Sequence, residues 1–250
     1  LMGRSGRAAA SLGSLLRDRG GADLVLLQEA SPRGMEKFIE AAGLDWSLHI
    51  RDVAPEMLSE RGRSGKKGGR GRPRSVALAG RGEPARNPEV FPDAPLPEKV
   101  MAATVQLDGV DTTVVTYHAP TGVRHKLKKP AQAVQLARWL ASVQGPVVLG
   151  GDFNTPKVDP PDRGGIRTHW HSGDTKLNGL PGDDLLVGPE PVHGLRDVLR
   201  LHLADHSDEL AMIRVERPDG PLMTSYRTGG AGKRRYRYDA IWVTSHFTVG

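Results

Sequence analysis

The chain has 250 residues, 38% hydrophobic and 26% charged, with a formal net charge of +6 and no cysteine. The lack of cysteine excludes disulfides, thiolate metal sites and cysteine nucleophiles, so any metal must be held by oxygen or nitrogen ligands, and the length admits a sizeable buried core. No run approaches the roughly 20 apolar residues of a membrane span, the opening residues lack a signal-peptide-like block, a cytoplasmic location is the default expectation, and the positive charge favours polyanionic or phosphorylated partners.

In chain order, Leu12, Leu15 and Leu16 at helical spacing predict an amphipathic helix over residues 5 to 19, stopped by Gly20 and Gly21. "ADLVLLQEA" reads as a strand, apolar from Leu24 to Leu27 and ending in Gln28 and Glu29. A second helix is expected over 32–42. Residues 51–74 read as a flexible basic loop, with Arg61, Arg63, Lys66, Lys67, Arg70, Arg72 and Arg74 among glycines. It is either a solvated insertion or a cationic arm for phosphates. "SVALAG" (75–80), "KVMAATVQL" (99–107) and "TTVVTYH" (112–118) read as strands, and their succession without helices suggests antiparallel sheet. "KKPAQAVQLARWLASV" reads as a helix, with Val134, Ala137 and Leu140 on one stripe and Pro130 near its start. "PVVLGGDFN" is the next strand. A loop-rich stretch (155–195) precedes a helix at 195–203 and the strands "PLMTSYR" and "YRYDAIWVTS". Without an internal repeat or a long linker, the whole chain reads as a single domain.

Four apolar strands end in chemistry-bearing residues: Glu29, His118, the pair Asp152 and Asn154, and Asp239. A rigid strand fixes such a group at a sheet rim within reach of substrate. A hard divalent cation takes oxygen ligands such as Glu29 and Asp152, and Mg²⁺ commonly uses only one or two carboxylates beside water and phosphate oxygens. Asn154 can donate a hydrogen bond without adding negative charge. Taken singly, each has a structural alternative. Glu29 could be a solvated strand end, His118 a hydrogen-bonded turn residue, Asp152 and Asn154 an Asx turn, and Asp239 an ion-pair partner of Arg234, Arg235 or Arg237.

"LLQE" (26–29), "YHAPTG" (117–122), "GDFNTP" (151–156) and "YDAIWVTS" (238–245) resemble, in order and approximate spacing, the endonuclease/exonuclease/phosphatase superfamily with the DNase I-like fold. The resemblance covers essentially the whole chain. It implies an α+β four-layer α/β/β/α sandwich, two mixed sheets face to face with helices outside, and a metal-dependent phosphoesterase using Mg²⁺ or Mn²⁺. In this likeness Glu29 matches the metal-ligating glutamate and Asp152 the aspartate that handles the attacking or leaving oxygen near the metal. Asn154 matches the amide that grips the scissile phosphate. His118 matches the histidine that stabilises the phosphorane or protonates the leaving oxygen, and Asp239 the aspartate that orients a second histidine. The family's first strand with its asparagine and its closing Ser-Asp-His element have no counterpart, so the chain is expected to be clipped at both ends.

The reaction expected is hydrolysis of a phosphodiester by in-line attack of water, with a nucleic-acid substrate favoured by the charge and by the basic segments 61–74, 124–129 and 233–237. Alternatives are a phosphatase or phospholipase acting on inositol phosphate or a lipid head group, and a non-catalytic phosphate- or nucleic-acid-binding module. With aromatic residues at 5%, no stretch reads as a base-stacking platform.

Overall fold

The computed structural model describes residues 6–55, 75–91, 93–168, 182–229 and 233–248. They fall into two compact units. One runs through Asp93 and adds Pro97–His118; the other combines Ala94–Leu96 with the chain from Ala119.

The first unit contains α1 (Gly6–Asp18), β1 (Leu24–Ala30), α2 (Pro32–Ala42), β2 (Trp46–His49), the single turn α3 (Ile50–Val53), β3 (Ser75–Gly80), β4 (Arg86–Val90), β5 (Val100–Leu107) and β6 (Val110–His118). β3 lies between β1 and β2, antiparallel to both, while β5 pairs antiparallel with β4 and with β6. Sequence chemistry sets the ends of α2. Ser31 Oγ accepts from Gly34 N at 3.3 Å, Pro32 opens the helix where a missing N–H is harmless, and Gly43 closes it at φ +66°. α1 and α2 cover one face of β1 and β3 through Ala9, Leu27, Met35, Phe38 and Ala77. Full burial of a side chain such as Phe38 contributes about 1.5–3 kcal/mol.

The expected apolar stripe of α1 is corrected. Leu12 and Leu15 are exposed, and the buried face is Ala9 and Gly13 with Leu16 packed beside them. A Cβ on Gly13 would lie 2.6 Å from Phe38 O, so close approach of the two helices selects a face of small residues over the more apolar one. The expected loop at 51–74 is partly corrected by α3, whose N-cap is His49; residues 56–74 lie outside the described residues.

The second unit contains α4 (Gly122–His125), α5 (Lys128–Ser142), β7 (Val147–Asp152), α6 (Asp183–Val187), β8 (Arg196–Asp197), α7 (Val198–Asp205), α8 (Ser207–Glu216), β9 (Tyr226–Arg227), β10 (Arg235–Tyr236) and β11 (Asp239–Val243). β11 runs antiparallel to both β7 and β8, and β9 pairs with β10 as a short hairpin. α5 buries Ala133, Leu136, Ala137 and Leu140, whereas Val134 is only half-buried. α7 begins three residues later than expected because Asp197 caps it, accepting from Leu199 N at 3.1 Å and Arg200 N at 3.4 Å. The expected strand at 221–227 shrinks to two residues. The strand expected at 236–245 is divided at Arg237 and Tyr238, where Arg237 turns inward to buried carboxylates. No described helix is long and apolar enough to cross a membrane.

Candidate active site

β7 carries the apolar run Val147–Leu149 through the core of the second unit and delivers Asp152 to its end. There Asp152 stands directly opposite Asp239 on β11. The chain then turns. Asp152 Oδ1 accepts from Asn154 N at 2.9 Å, an Asx turn, and Asn154 takes a left-handed backbone at φ +48°. Asn154 Nδ2 donates to Ala119 O at 2.9 Å, while Ala119 N donates to Asp152 O at 2.7 Å. The turn expected as an alternative to a catalytic role is therefore the device that holds both side chains at the end of β7.

A residue that sequence reasoning passed over holds this turn from below. Lys129 is 1% exposed, and its Nζ donates to Phe153 O at 3.1 Å and to Asn154 O at 2.9 Å. Its charge is balanced by Asp183 at 3.2 Å, equally enclosed. Burial pushes the Asp183 carboxyl above its usual range, and the Lys129 ammonium opposes that rise. The available signal was positional, since Lys129 shares the inward stripe of α5 with Ala133, Leu136 and Leu140.

Asp239 does not make the ion pair considered for it. Arg237, 4% exposed, instead donates Nε to Asp159 Oδ2 at 2.7 Å and NH1 to Asp197 Oδ1 at 3.0 Å. Arg200 also binds Asp159. Burial alone would lower the Arg237 pKa, but hydrogen bonds and charge from Asp197 and Asp159 hold it above its ordinary value. Asp239 itself is exposed, and its backbone N–H and that of Tyr238 both donate to Ser225 Oγ. His206 stacks on His202, and His246 Nδ1 contacts Thr244 Oγ1. Among the described residues neither histidine is paired with Asp239.

In the first unit Glu29 sits at φ +54° where the β1–β3 register shifts between Leu27 and Ala30. Such a bulge re-aims a side chain at a strand end. Gln28 Nε2 donates to Thr116 Oγ1 at 3.4 Å, tying β1 to β6 within two residues of Glu29 and His118. His118 is buried, with Nδ1 2.8 Å from Lys99 Nζ. With the ammonium donating, Nδ1 is the acceptor and Nε2 carries the imidazole hydrogen. The structure thus gathers Asp152, Asn154 and Asp239 within the second unit and links the strands bearing Glu29 and His118 within the first.

A family model described as the Endonuclease/Exonuclease/phosphatase family matches residues 3–250. The chain belongs to this family. Its fold is similar to that of D. rerio TDP2 complexed with single strand DNA product, at 14% identity over 96% of this chain and 78% of that one, with a TM-score of 0.57. Truncated Caenorhabditis elegans TDP2 is similar at 13% identity, 97% and 79% coverage and a TM-score of 0.54. The endonuclease/exonuclease/phosphatase from Beutenbergia cavernae DSM 12333 is similar at 16% identity, 95% and 58% coverage and a TM-score of 0.53. No curated protein matches the chain. The expected fold class holds: the chain is mixed α+β with two large sheets and helices, as in the DNase I-like members of the family.

Members of the endonuclease/exonuclease/phosphatase family are generally divalent-metal-dependent hydrolases of phosphoester bonds. Among the described residues no three His, Asp or Glu side chains gather as a metal-holding group. A hard cation takes one or two carboxylates and completes its shell with water and phosphate oxygens. The carboxylates of Glu29 and Asp152, each half-buried at a strand end, are oxygen donors of the required kind.

Proposed function

We propose that the chain is a divalent-metal-dependent phosphodiesterase of the nuclease type, which hydrolyses a nucleic-acid phosphodiester by in-line attack of water. The observation that carries this reading is the opposition of Asp152 and Asp239 on β7 and β11, with Asn154 held beside them by its turn. Two like charges at one cross-strand position oppose folding. Proton handling at a reacting phosphate gives that arrangement a use.

Glu29 and Asp152 would hold Mg²⁺ or Mn²⁺, which when bound neutralises charge on the phosphoryl oxygens and acidifies a water. Asp152 orients and deprotonates the attacking water. Asn154 presents a second amide N–H to a phosphoryl oxygen, its first being engaged by Ala119 O. His118, with its hydrogen on Nε2, donates to the developing negative charge. Asp239 supplies the carboxylate that fixes a proton-transfer partner. The D. rerio TDP2 structure holds single strand DNA product, and together with the net charge of +6 this supports a nucleic-acid substrate.

The test is release of product from bis(p-nitrophenyl) phosphate and from labelled oligonucleotides with Mg²⁺, Mn²⁺ or EDTA, for the wild type and Asp152→Ala. Turnover that needs the metal and falls on the order of 10³-fold in the variant is the expected result. Equal turnover by both proteins would remove this site from the reaction. Oligonucleotide binding without turnover would make the chain a binding module.

A further inference from the structure

The β9–β10 hairpin sorts its side chains by face. Tyr226 and Tyr236 are directly opposed, as are Arg227 and Arg235. On the first face Tyr238 joins the other two tyrosines, with ring centroids 5.3 Å from Tyr226 and 5.0 Å from Tyr236 and planes within 19° and 18° of parallel. Three of the chain's four tyrosines are gathered here. Tyr226 is 49% exposed, so this cluster has an edge open to solvent. Its inner end reaches the candidate active site. Tyr238 O accepts from Phe153 N at 2.8 Å. Burial, then the neighbouring tyrosines and the charge of Asp152, push the Tyr238 hydroxyl above its ordinary pKa.

Beside the tyrosines lies a cleft of about 560 Å³ lined by Lys157, Arg217, Lys233, Arg234, Arg235 and Tyr236, with Glu216 its one carboxylate among the described residues. A smaller cavity of about 130 Å³ shares Lys157, Arg235 and Tyr236 and continues to Pro156, at the end of the Asp152–Asn154 turn. Glu216 lines the cleft and Asp159 and Asp219 the smaller cavity, but among the described residues no ion pair joins Lys157, Arg217, Lys233, Arg234 or Arg235 to a carboxylate. Arg227 stands opposite Arg235, a like-charge pair that opposes folding, and Arg217 Nε is buried without a hydrogen-bond partner among the described residues. Arg235 and Arg217 both line the cleft.

We propose that the second unit carries a track for a single nucleic-acid strand beyond the reacting carboxylates: the tyrosine cluster stacks a nucleobase, and the cleft beside it takes backbone phosphates. Flat aromatic surface beside a positive groove is the chemistry that binds single strands without reading sequence. A phosphoinositide headgroup would use the cleft and leave the tyrosines idle. The proposal deepens the phosphodiesterase reading, since it takes Asp152 and Asp239 as the reacting end.

The test reads binding without turnover. Anisotropy of a fluorescein-labelled ten-nucleotide single strand is followed with the full chain in EDTA, alongside an abasic strand of equal length and vesicles containing phosphatidylinositol bisphosphate. Tyr226→Ser should weaken the base-bearing strand at least 5-fold and leave the abasic strand unchanged, while Tyr226→Phe restores binding. Replacing Arg234 and Arg235 by Ser should weaken both strands more than tenfold and lower the salt slope by roughly one to two. Base-bearing and abasic strands bound alike, variants without effect, or vesicles preferred to oligonucleotide would each overturn the track. Failure of the phosphodiesterase reading is a separate result: strand binding that obeys these variants, with no cleavage when Mg²⁺ is added.

Discussion

Asp152 and Asp239 occupy directly opposed positions on β7 and β11, so two carboxylates share one face at the end of an otherwise apolar pairing. Like charges so placed oppose folding by roughly 0.2–1 kcal/mol. Asp239→Asn is therefore expected to raise the urea midpoint slightly while lowering phosphodiester hydrolysis. Asp152→Asn keeps an oxygen to accept from Asn154 N and should lose activity with little change in stability. Asp152→Ala should lose activity and a further ~1 kcal/mol, because the turn loses its acceptor. Urea unfolding beside turnover measurements separates the three.

Lys129 sets a second expectation. Lys129→Met leaves Asp183 enclosed without its cation and frees two carbonyls of the Phe153–Asn154 turn. Stability should fall by about 3–5 kcal/mol. Adding Asp183→Leu should recover most of it but not the hydrolysis rate, because the turn remains unclamped. Recovery of both in the double variant would mean that Lys129 serves only to neutralise Asp183.

Arg237 should not tolerate lysine. Its guanidinium reaches Asp159 through Nε and Asp197 through NH1, a forked geometry an ammonium cannot reproduce. Arg237→Lys is expected to lower stability by about 2–4 kcal/mol by thermal or urea unfolding, close to the effect of Arg237→Ala. A lysine variant as stable as the wild type would assign the network's strength to charge alone.

Two histidines give the fold a pH dependence. His49 Nδ1 accepts from Arg51 N at 3.0 Å, and His193 Nδ1 accepts from Leu195 N at 3.2 Å while its Nε2–H donates to Leu186 O at 2.7 Å. Burial lowers the pKa of both below 6.5, with hydrogen bonds to Ala30 and to Leu186 opposing the shift. A depressed folded pKa means that the folded state binds fewer protons. The stability from each is present above pH 6.5 and is lost as pH falls through the depressed value, with a slope of at most about 1.4 kcal/mol per pH unit per histidine. Urea midpoints should therefore drop between pH 7.5 and 5.5. His193→Gln should flatten that drop, and the difference isolates His193 from Asp183, whose raised pKa acts in the opposite sense.

The strand ends were readable where an apolar run closes on a polar residue, a local pattern that Glu29, His118 and Asp152 follow; Asp239 stands at a strand end only because the strand expected at 236–245 is divided at Arg237 and Tyr238. The groups that hold them were not readable for the opposite reason. Lys129 finds Asp183 fifty-four positions away, and Arg237 finds Asp159 and Asp197; the stripe of α5 marks Lys129 as inward without naming its partner, and nothing local distinguishes Arg237 from the many solvated cations. The tyrosine cluster was hidden by register. Tyr226 and Tyr236 are ten residues apart, and only the short hairpin, which replaces the longer strands expected there, sets them face to face. The exposed leucines of α1 misled because helix contact there is decided by the size of Gly13 and not by apolarity.

Glu29 and Asn154 both hold a backbone conformation that suits glycine, at φ +54° and +48°. For a side chain of ordinary shape that posture costs about 1–2 kcal/mol. Asn adopts it readily and Asn154 is also held by its bond to Ala119 O, so the cost falls on Glu29. Selecting this protein for heat resistance with no screen for phosphodiester cleavage should therefore favour glycine at position 29, and the survivors would be sturdier molecules stripped of a group through which we expect them to meet a cation.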